Sequence, residues 1–235
     1  MDDFSKYSDN CGHYFDKQYS LEESYWGDQP NLLVPLISSH LRPRSRVLVI
    51  GCGEGRDALF LARIGFDVVA TEISESGLNK VRAAIKSNGV KLELFKLDAH
   101  ESHNHLGKFD TVLIMNVLQF LHPDKVGDII VHFQSLVTPG GFMSIQVFTT
   151  EDPHYQKQIQ KSDISYDNLV VEHPTRGYKI RYFKRGELSS FYRGWELIYY
   201  HEGLMWDKPH GVQIDFHQHG MAQMIARKKL SDDII

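Results

Sequence analysis

The 235-residue sequence predicts an α/β fold, a doubly wound and mostly parallel sheet of seven strands covered by helices. Three observations predict it. Short β-rich runs alternate with amphipathic stretches from about residue 30 to residue 150. A glycine-rich turn joins the first of these runs to the helical stretch after it. The last two apolar runs, 195–206 and 219–229, are joined by a longer loop that suits an antiparallel pair.

In order along the chain, PNLLVPLISSHL reads as a first helix, with Pro30 tolerated at its start because the missing donor has no partner there. RVLVI (46–50) is the first strand. In RDALFLARIGF, Ala58, Leu59, Leu61 and Ala62 recur at helical spacing and Gly65 ends the helix. DVVAT (67–71) is the second strand, and Ser74 caps a helix whose Leu78, Val81 and Ile85 share a face until Asn88–Gly89 stops it. KLELF (91–95) and FDTVLIM (109–115) are strands three and four; Pro123 opens a helix, and TPGG turns the chain into FMSIQVF (142–148). From Thr149 to about Arg185 the pattern gives way to a polar stretch with Tyr and Lys, read as an insertion or lid, before a short helix at RGELSSFY.

Length suits a single domain over 1–235, and 42% hydrophobic with 24% charged residues suffice to build its core. A net charge of −4 opposes binding to a phosphate backbone, so nucleic acid is not an expected partner. The two cysteines, Cys11 and Cys52, form neither a disulfide framework nor a zinc motif, which fits a reducing compartment. The start of the chain is acidic and polar, and no apolar run has the length of a membrane span, so a cytoplasmic protein without membrane association is expected.

The chemistry-bearing signal is VLVIGCGEGRD, a buried strand followed at once by Gly51, Gly53 and Gly55 and then a helix. In an open α/β sheet ligands bind beyond the carboxyl ends of strands, where glycine lets the backbone approach them. Glu72 closes the second strand, where a carboxylate can accept hydrogen bonds from both ribose hydroxyls. Asp98 follows the third strand and Asn116 the fourth, so four consecutive strands each end in a residue suited to one extended nucleoside ligand. A nicotinamide dinucleotide site wants its third glycine where Arg56 stands; here it comes one residue earlier. That shift favours S-adenosylmethionine, which has no pyrophosphate, over an NAD-dependent oxidoreductase.

The sequence resembles the class I S-adenosylmethionine-dependent methyltransferases, in particular the tellurite-resistance (TehB-like) and thiopurine methyltransferase-like group. The resemblance rests on FDKQY and YWGDQPNLLVPL, on VLVIGCGEGRDALFLARIGFDVVATEISESGLNK, on FDTVLIMNVLQFL, and on FKRGELSSFYRGWELIYYHEG with HGMAQMIARK. It implies a Rossmann-like seven-stranded sheet whose last strand is antiparallel. It also implies Gly51, Cys52 and Gly53 around the methionine moiety, Glu72 on the ribose, Asp98 and Ala99 at the adenine, and Asn116 near the sulfonium. Tyr25, Trp26 and Arg56 would cover or anchor the cofactor, with residues 1–29 as the covering segment and 149–185 on the acceptor side.

The activity implied is methyl transfer to a small molecule: a thiol, a chalcogen oxyanion or a heterocycle. A non-catalytic sensor that binds S-adenosylmethionine is the alternative from another class. On the acceptor side, His210, His217 and His219 are placed in the loop between the last two strands, and His217 and His219 are the acid–base candidates. His100, His103 and His105 form a second group; HxH and HxxH spacings permit metal binding, but no metal is expected. Arg176, Arg181 and Arg193 are candidates for attracting an anionic acceptor, and Tyr155, Tyr166 and Trp206 for walling an apolar one. Cys52, small and beside glycines, is read as packing.

Overall fold

The computed structural model describes residues 3–161, 169–173, 176–209 and 215–230. Its order is α1 (Asp3–Leu21), α2 (Leu33–Ser38), β1 (Arg46–Ile50), α3 (Arg56–Arg63), β2 (Asp67–Glu72), α4 (Glu75–Asn88), β3 (Glu93–Lys96), β4 (Phe109–Met115), α5 (Val126–Leu136), β5 (Val137–Phe148), α6 (Pro153–Lys161), β6 (Val170–Glu172), β7 (Lys179–Arg181), α7 (Glu187–Ser190), β8 (Glu196–Asp207) and β9 (His217–Arg227). The main sheet has seven strands in the order β3-β2-β1-β4-β5-β9-β8. Strands β1 to β5 run parallel, and β9 lies antiparallel between β5 and β8.

The period of two in β1 divides the core between the faces. Leu48 and Ile50 pack with Val112, Ile114 and Ile145 against Ile130 and Phe133 of α5. Val47 and Val49 pack with Val68 and Ala70 against Ala58 and Leu61 of α3 and Val81 of α4. Burying each such side chain contributes about 1.5–3 kcal/mol, so the alternation fixes register. Ser74 caps α4 by accepting a hydrogen bond from Gly77 N at 3.0 Å, and Gly89 ends that helix in the left-handed conformation.

Several sequence expectations are corrected. The first helix is α1, whose apolar residues are too scattered to announce it; α2 begins at Leu33 rather than Pro30, with Pro35 still in its donor-poor first turn. Strand β5 begins at Val137, which pairs with Phe109; the TPGG segment makes a register shift within the strand, with Gly140 and Gly141 hydrogen-bonded to Lys228, instead of turning clear of the sheet. A two-stranded ribbon, β6 with β7, lies within 149–185 beside α6. His217 and His219 are not in the last loop but in β9, opposite Asp207 and Met205 of β8; HQH alternates with strand period despite its polarity. His210 and Tyr166 fall outside the described residues. Among the described residues no helix is long and apolar enough to cross a membrane.

Candidate active site

Sheet order reverses between β1 and β4, and a crevice opens there at the carboxyl ends of the strands. It encloses about 1080 Å³ including its open mouth. Gly51 turns out of β1 with φ 62°, and a Cβ there would stand 2.5 Å from Val117 Cγ2, so backbone conformation and space both demand glycine. The carboxylate of Glu72 reaches this bend: one oxygen accepts from Gly53 N at 2.7 Å, the other from Ile73 N and Ser74 N, each at 2.9 Å. Glu72 is 7% exposed, and burial raises its pKa against the opposing pull of those amides. A buried carboxylate with lone pairs facing a cavity suits a diol donor such as a ribose.

Asp98, Ala99 and Leu97 form one end of the crevice. Asp98 Oδ1 is held by His100 N at 2.9 Å and His100 Nδ1 at 2.8 Å, which fixes the carboxylate at the crevice wall. Asn116 takes φ 57° at the end of β4, a conformation its short amide tolerates. Its side-chain oxygen accepts from Gln146 Nε2 at 3.2 Å, while Gln146 Oε1 accepts from Gln223 at 2.6 Å and Asn31 at 3.1 Å. Four amides from distant segments thus fix one another's orientation.

The cover is made by α1 and by the strap after it. Cys11, Gly12, Phe15 and Tyr19 of α1 line the crevice with Trp26, Gly51, Cys52, Gly53, Arg56, Glu72 and Asn116. The strap is tied down by Glu54, whose carboxylate accepts from Tyr25 N (2.8 Å) and Trp26 N (3.1 Å) and pairs with Lys80 Nζ at 2.6 Å. Arg56 donates to Trp26 O at 3.2 Å, and Trp26 Nε1 to the Tyr19 hydroxyl at 2.9 Å. Tyr25 does not line the crevice: at 1% exposure it packs edge-on behind Trp26. Cys11, Phe15, Tyr19 and Glu54 were missed, because a carboxylate that grips a backbone strap 29 residues away leaves no local pattern. Burial pushes both the Cys11 and Cys52 thiols well up, which suits packing and not nucleophilic attack.

A second cavity shares Phe15, Trp26, Asn116 and Phe120 with the first and extends to α6, β7 and the β8–β9 hairpin. His154, His173, Arg176, Asp207, His217 and His219 all face it. Asp152, 1% exposed, accepts from His219 Nδ1 at 2.8 Å and from Gly220 N at 3.2 Å, and the His219 ring stacks on Phe148 at 4.7 Å. His154 shares a hydrogen bond with the Tyr182 hydroxyl at 2.9 Å and stacks on His173 at 5.2 Å.

Of the other acceptor-side candidates among the described residues, only Arg176 reaches this cavity. Arg181 pairs with Glu187 and lies over Phe183, and Arg193 is exposed. Tyr155 is core, and Trp206 is 69% exposed. His103 is buried, with Nδ1 on Glu101 O at 2.8 Å, so that group supports the loop after β3.

Residues 47–141 match the family model described as Methyltransferase domain. Over 221 residues the chain is 22% identical to a probable S-adenosyl-L-methionine-dependent methyltransferase TehB of Haemophilus influenzae, covering 92% of this chain and 66% of that protein. It is 35% identical over 149 residues to a ubiquinone biosynthesis O-methyltransferase of Aromatoleum aromaticum, covering 63% of this chain and 62% of the relative. The chain thus spans less than two thirds of the length of these relatives. Among solved structures, TehB from Haemophilus influenzae superposes with a TM-score of 0.68 at 22% identity, over 85% of this chain and 62% of that one. A Burkholderia thailandensis 1,6-didemethyltoxoflavin-N1-methyltransferase with bound 1,6-didemethyltoxoflavin and S-adenosylhomocysteine gives 0.70 at 19% identity, over 97% and 92%.

Proposed function

We propose that the chain, which matches a methyltransferase domain model over residues 47–141 and is similar to TehB along most of its length, is a class I S-adenosylmethionine-dependent methyltransferase that methylates a small molecule. The observation that carries the reading is the Glu72–Gly53 bond, which makes the acid after β2 and the bend after β1 two walls of one crevice. S-adenosylmethionine, when bound, supplies a methyl group already activated by positive sulfur.

The residues of the chain bind, orient and exclude water. Glu72 would accept the ribose hydroxyls, Asp98 and Ala99 would meet the adenine, and Gly51, Cys52 and Gly53 would pass backbone along the amino-acid end. Asp57, buried at the start of α3, lines the crevice at that end, where its carboxylate can meet an α-ammonium. Asn116, fixed by Gln146, stands where the two cavities meet, so an acceptor in the second cavity approaches the methyl group past it. Alignment of this kind contributes about 7–11 kcal/mol of barrier reduction. Trp26 and Phe15 border both cavities and exclude water from the meeting point.

The acceptor class we assign is a small thiol, chalcogen oxyanion or heterocycle. Residues His217 and His219 are where the acceptor's heteroatom or proton would be met. Calorimetric titration of S-adenosylmethionine, S-adenosylhomocysteine and NAD tests the proposal. The first two should bind and NAD should not, and Glu72→Ala should weaken both by at least tenfold, about 1.4 kcal/mol. Unchanged affinity in that variant removes Glu72 from the site; production of S-adenosylhomocysteine with an acceptor separates an enzyme from a sensor.

A further inference from the structure

We propose that the end of the β8–β9 pair where Asp207 faces His217 is a binding site for a divalent first-row transition-metal ion, ligated by Asp207, His217 and His219, and that the ion holds the methyl acceptor through its heteroatom. The metal site stands on its own geometry; only the acceptor role rests on the methyltransferase reading above.

Asp207 and His217 are directly opposed across the antiparallel pair, and His219 lies two residues along on the same face. That arrangement brings three side chains to one spot on a rigid ribbon. One atom from each imidazole and a carboxylate oxygen of Asp207 lie within 4.8 Å of one another. Two imidazoles and one carboxylate suit zinc, iron, cobalt or nickel, and three protein ligands leave coordination positions for another molecule.

The surroundings of the histidines are those of metal ligands. His219 Nδ1 lies 2.8 Å from Asp152 Oδ2, and His217 Nδ1 lies 3.0 Å from the Asp215 carbonyl. A carbonyl oxygen only accepts, and an ionised carboxylate only accepts, so both rings carry their proton on Nδ1 and the lone pair on Nε2. A second-shell oxygen that fixes tautomer and ring orientation in this way accompanies most histidine ligands. The Asp152 contact is built into the backbone: a Cβ at Gly220 would stand 2.1 Å from Asp152 N, so β9 admits no side chain where the 151–152 segment crosses it. Phe148 stacked on His219 adds an apolar wall that keeps the ring from turning.

The three ligands line the cavity that also contains Asn116 and Trp26, which puts the vacant coordination positions on the acceptor path. A thiol bound there would give its proton to water on coordination and present sulfur as a metal-bound thiolate. With the ion in place, the Nε2 of His219 is committed to it, and the ion takes over the task of activating the acceptor.

The purified 235-residue chain titrated with Zn²⁺ by calorimetry, and with Co²⁺ by visible absorption, tests the site. The expected result is one ion per chain and ligand-field bands for Co²⁺, both lost in His217→Ala/His219→Ala, with Asp152→Asn weakening binding about tenfold or more. Circular dichroism of each variant establishes that it is folded. Absence of stoichiometric binding overturns the proposal, as does binding that survives the double substitution, since other histidines would then hold the ion. The acceptor role is read by adding 2-mercaptoethanol to the Co²⁺ form: a sulfur-to-cobalt charge-transfer band is expected, and its absence overturns that role. Glu72→Ala should lose S-adenosylhomocysteine and keep the metal, so failure of either site is distinguishable from failure of the other.

Discussion

Glu72 accepts the backbone N–H of Gly53 at 2.7 Å, across 19 residues of sequence. The bond joins the ends of β1 and β2 and sets the width of the crevice between them. In Glu72→Gln one oxygen can still serve Ile73 and Ser74, but the new amide turns its own donors toward Gly53. A buried donor facing a donor costs about 1–3 kcal/mol, to be read as a lowered urea midpoint together with weakened S-adenosylhomocysteine binding.

Cofactor affinity should fall on acidification earlier than an ordinary carboxylate would give. Burial raises the Glu72 pKa above its usual 4.5, so the group takes up a proton while exposed glutamates are still ionised. The sign for folding is opposite: a raised folded pKa contributes stability present at low pH and lost as pH rises through that value. Titration of S-adenosylhomocysteine binding between pH 7 and 5, with unfolding monitored in parallel, separates the two. Affinity that stays flat down to the ordinary carboxylate range would refute the assignment.

Release of the strap is the expected result of Glu54→Ala. The substitution leaves the amides of Tyr25 and Trp26 and the ammonium of Lys80 without their shared carboxylate. We expect faster amide exchange at 22–28 and weaker S-adenosylmethionine binding, with a stability loss of about 1–3 kcal/mol. Equal exchange in the two proteins would show that Glu54 does not hold the cover.

Gly220→Ala should destabilise the fold by about 1–3 kcal/mol and push Asp152 away from His219, because the added methyl meets backbone and not a flexible side chain. Thermal unfolding gives the first effect. The second is seen as a changed tautomer of the His219 ring by nitrogen NMR.

His173 is held down to about 4, first by burial and then by the positive charge of Arg176, with His154 stacked on it and Tyr178 alongside. A histidine that protonates in the unfolded chain near 6.5 but not in the folded one contributes stability that is present above 6.5 and lost as pH falls toward 4. His103 and His154 are shifted the same way by burial. Melting temperature should therefore drop between pH 6.5 and 4, and His173→Gln should flatten that slope. An unchanged slope would place the acid sensitivity elsewhere.

Much of the fold was legible because its signals are local. RVLVI at 46–50 and FDTVLIM at 109–115 coincide with β1 and β4, and the Ser74 cap and Gly89 stop bound α4 as expected. The glycine bend, Glu72, Asp98 and Asn116 were found from one rule, that ligands lie beyond strand ends. The structure brings all of them to one crevice. The α1 helix is not legible because its apolar residues do not repeat at one clean spacing, and of Tyr25 and Trp26, expected together to cover or anchor the cofactor, Trp26 lines the crevice and Tyr25 packs behind it.

The sequence by itself determined the strand order of chemistry: which residues stand at the carboxyl ends of β1 to β4, and which faces of those strands are apolar. Tertiary structure alone decided that Glu54 holds the strap, that α1 closes the crevice, and that Asp152 supports a histidine 67 residues away beside Asp207 and His217. The division has a physical cause. Periodicity, capping and glycine turns act within a few residues, whereas a buried carboxylate chooses its partner from whatever donors the packed chain carries to within 3 Å, and no spacing in the sequence encodes that distance.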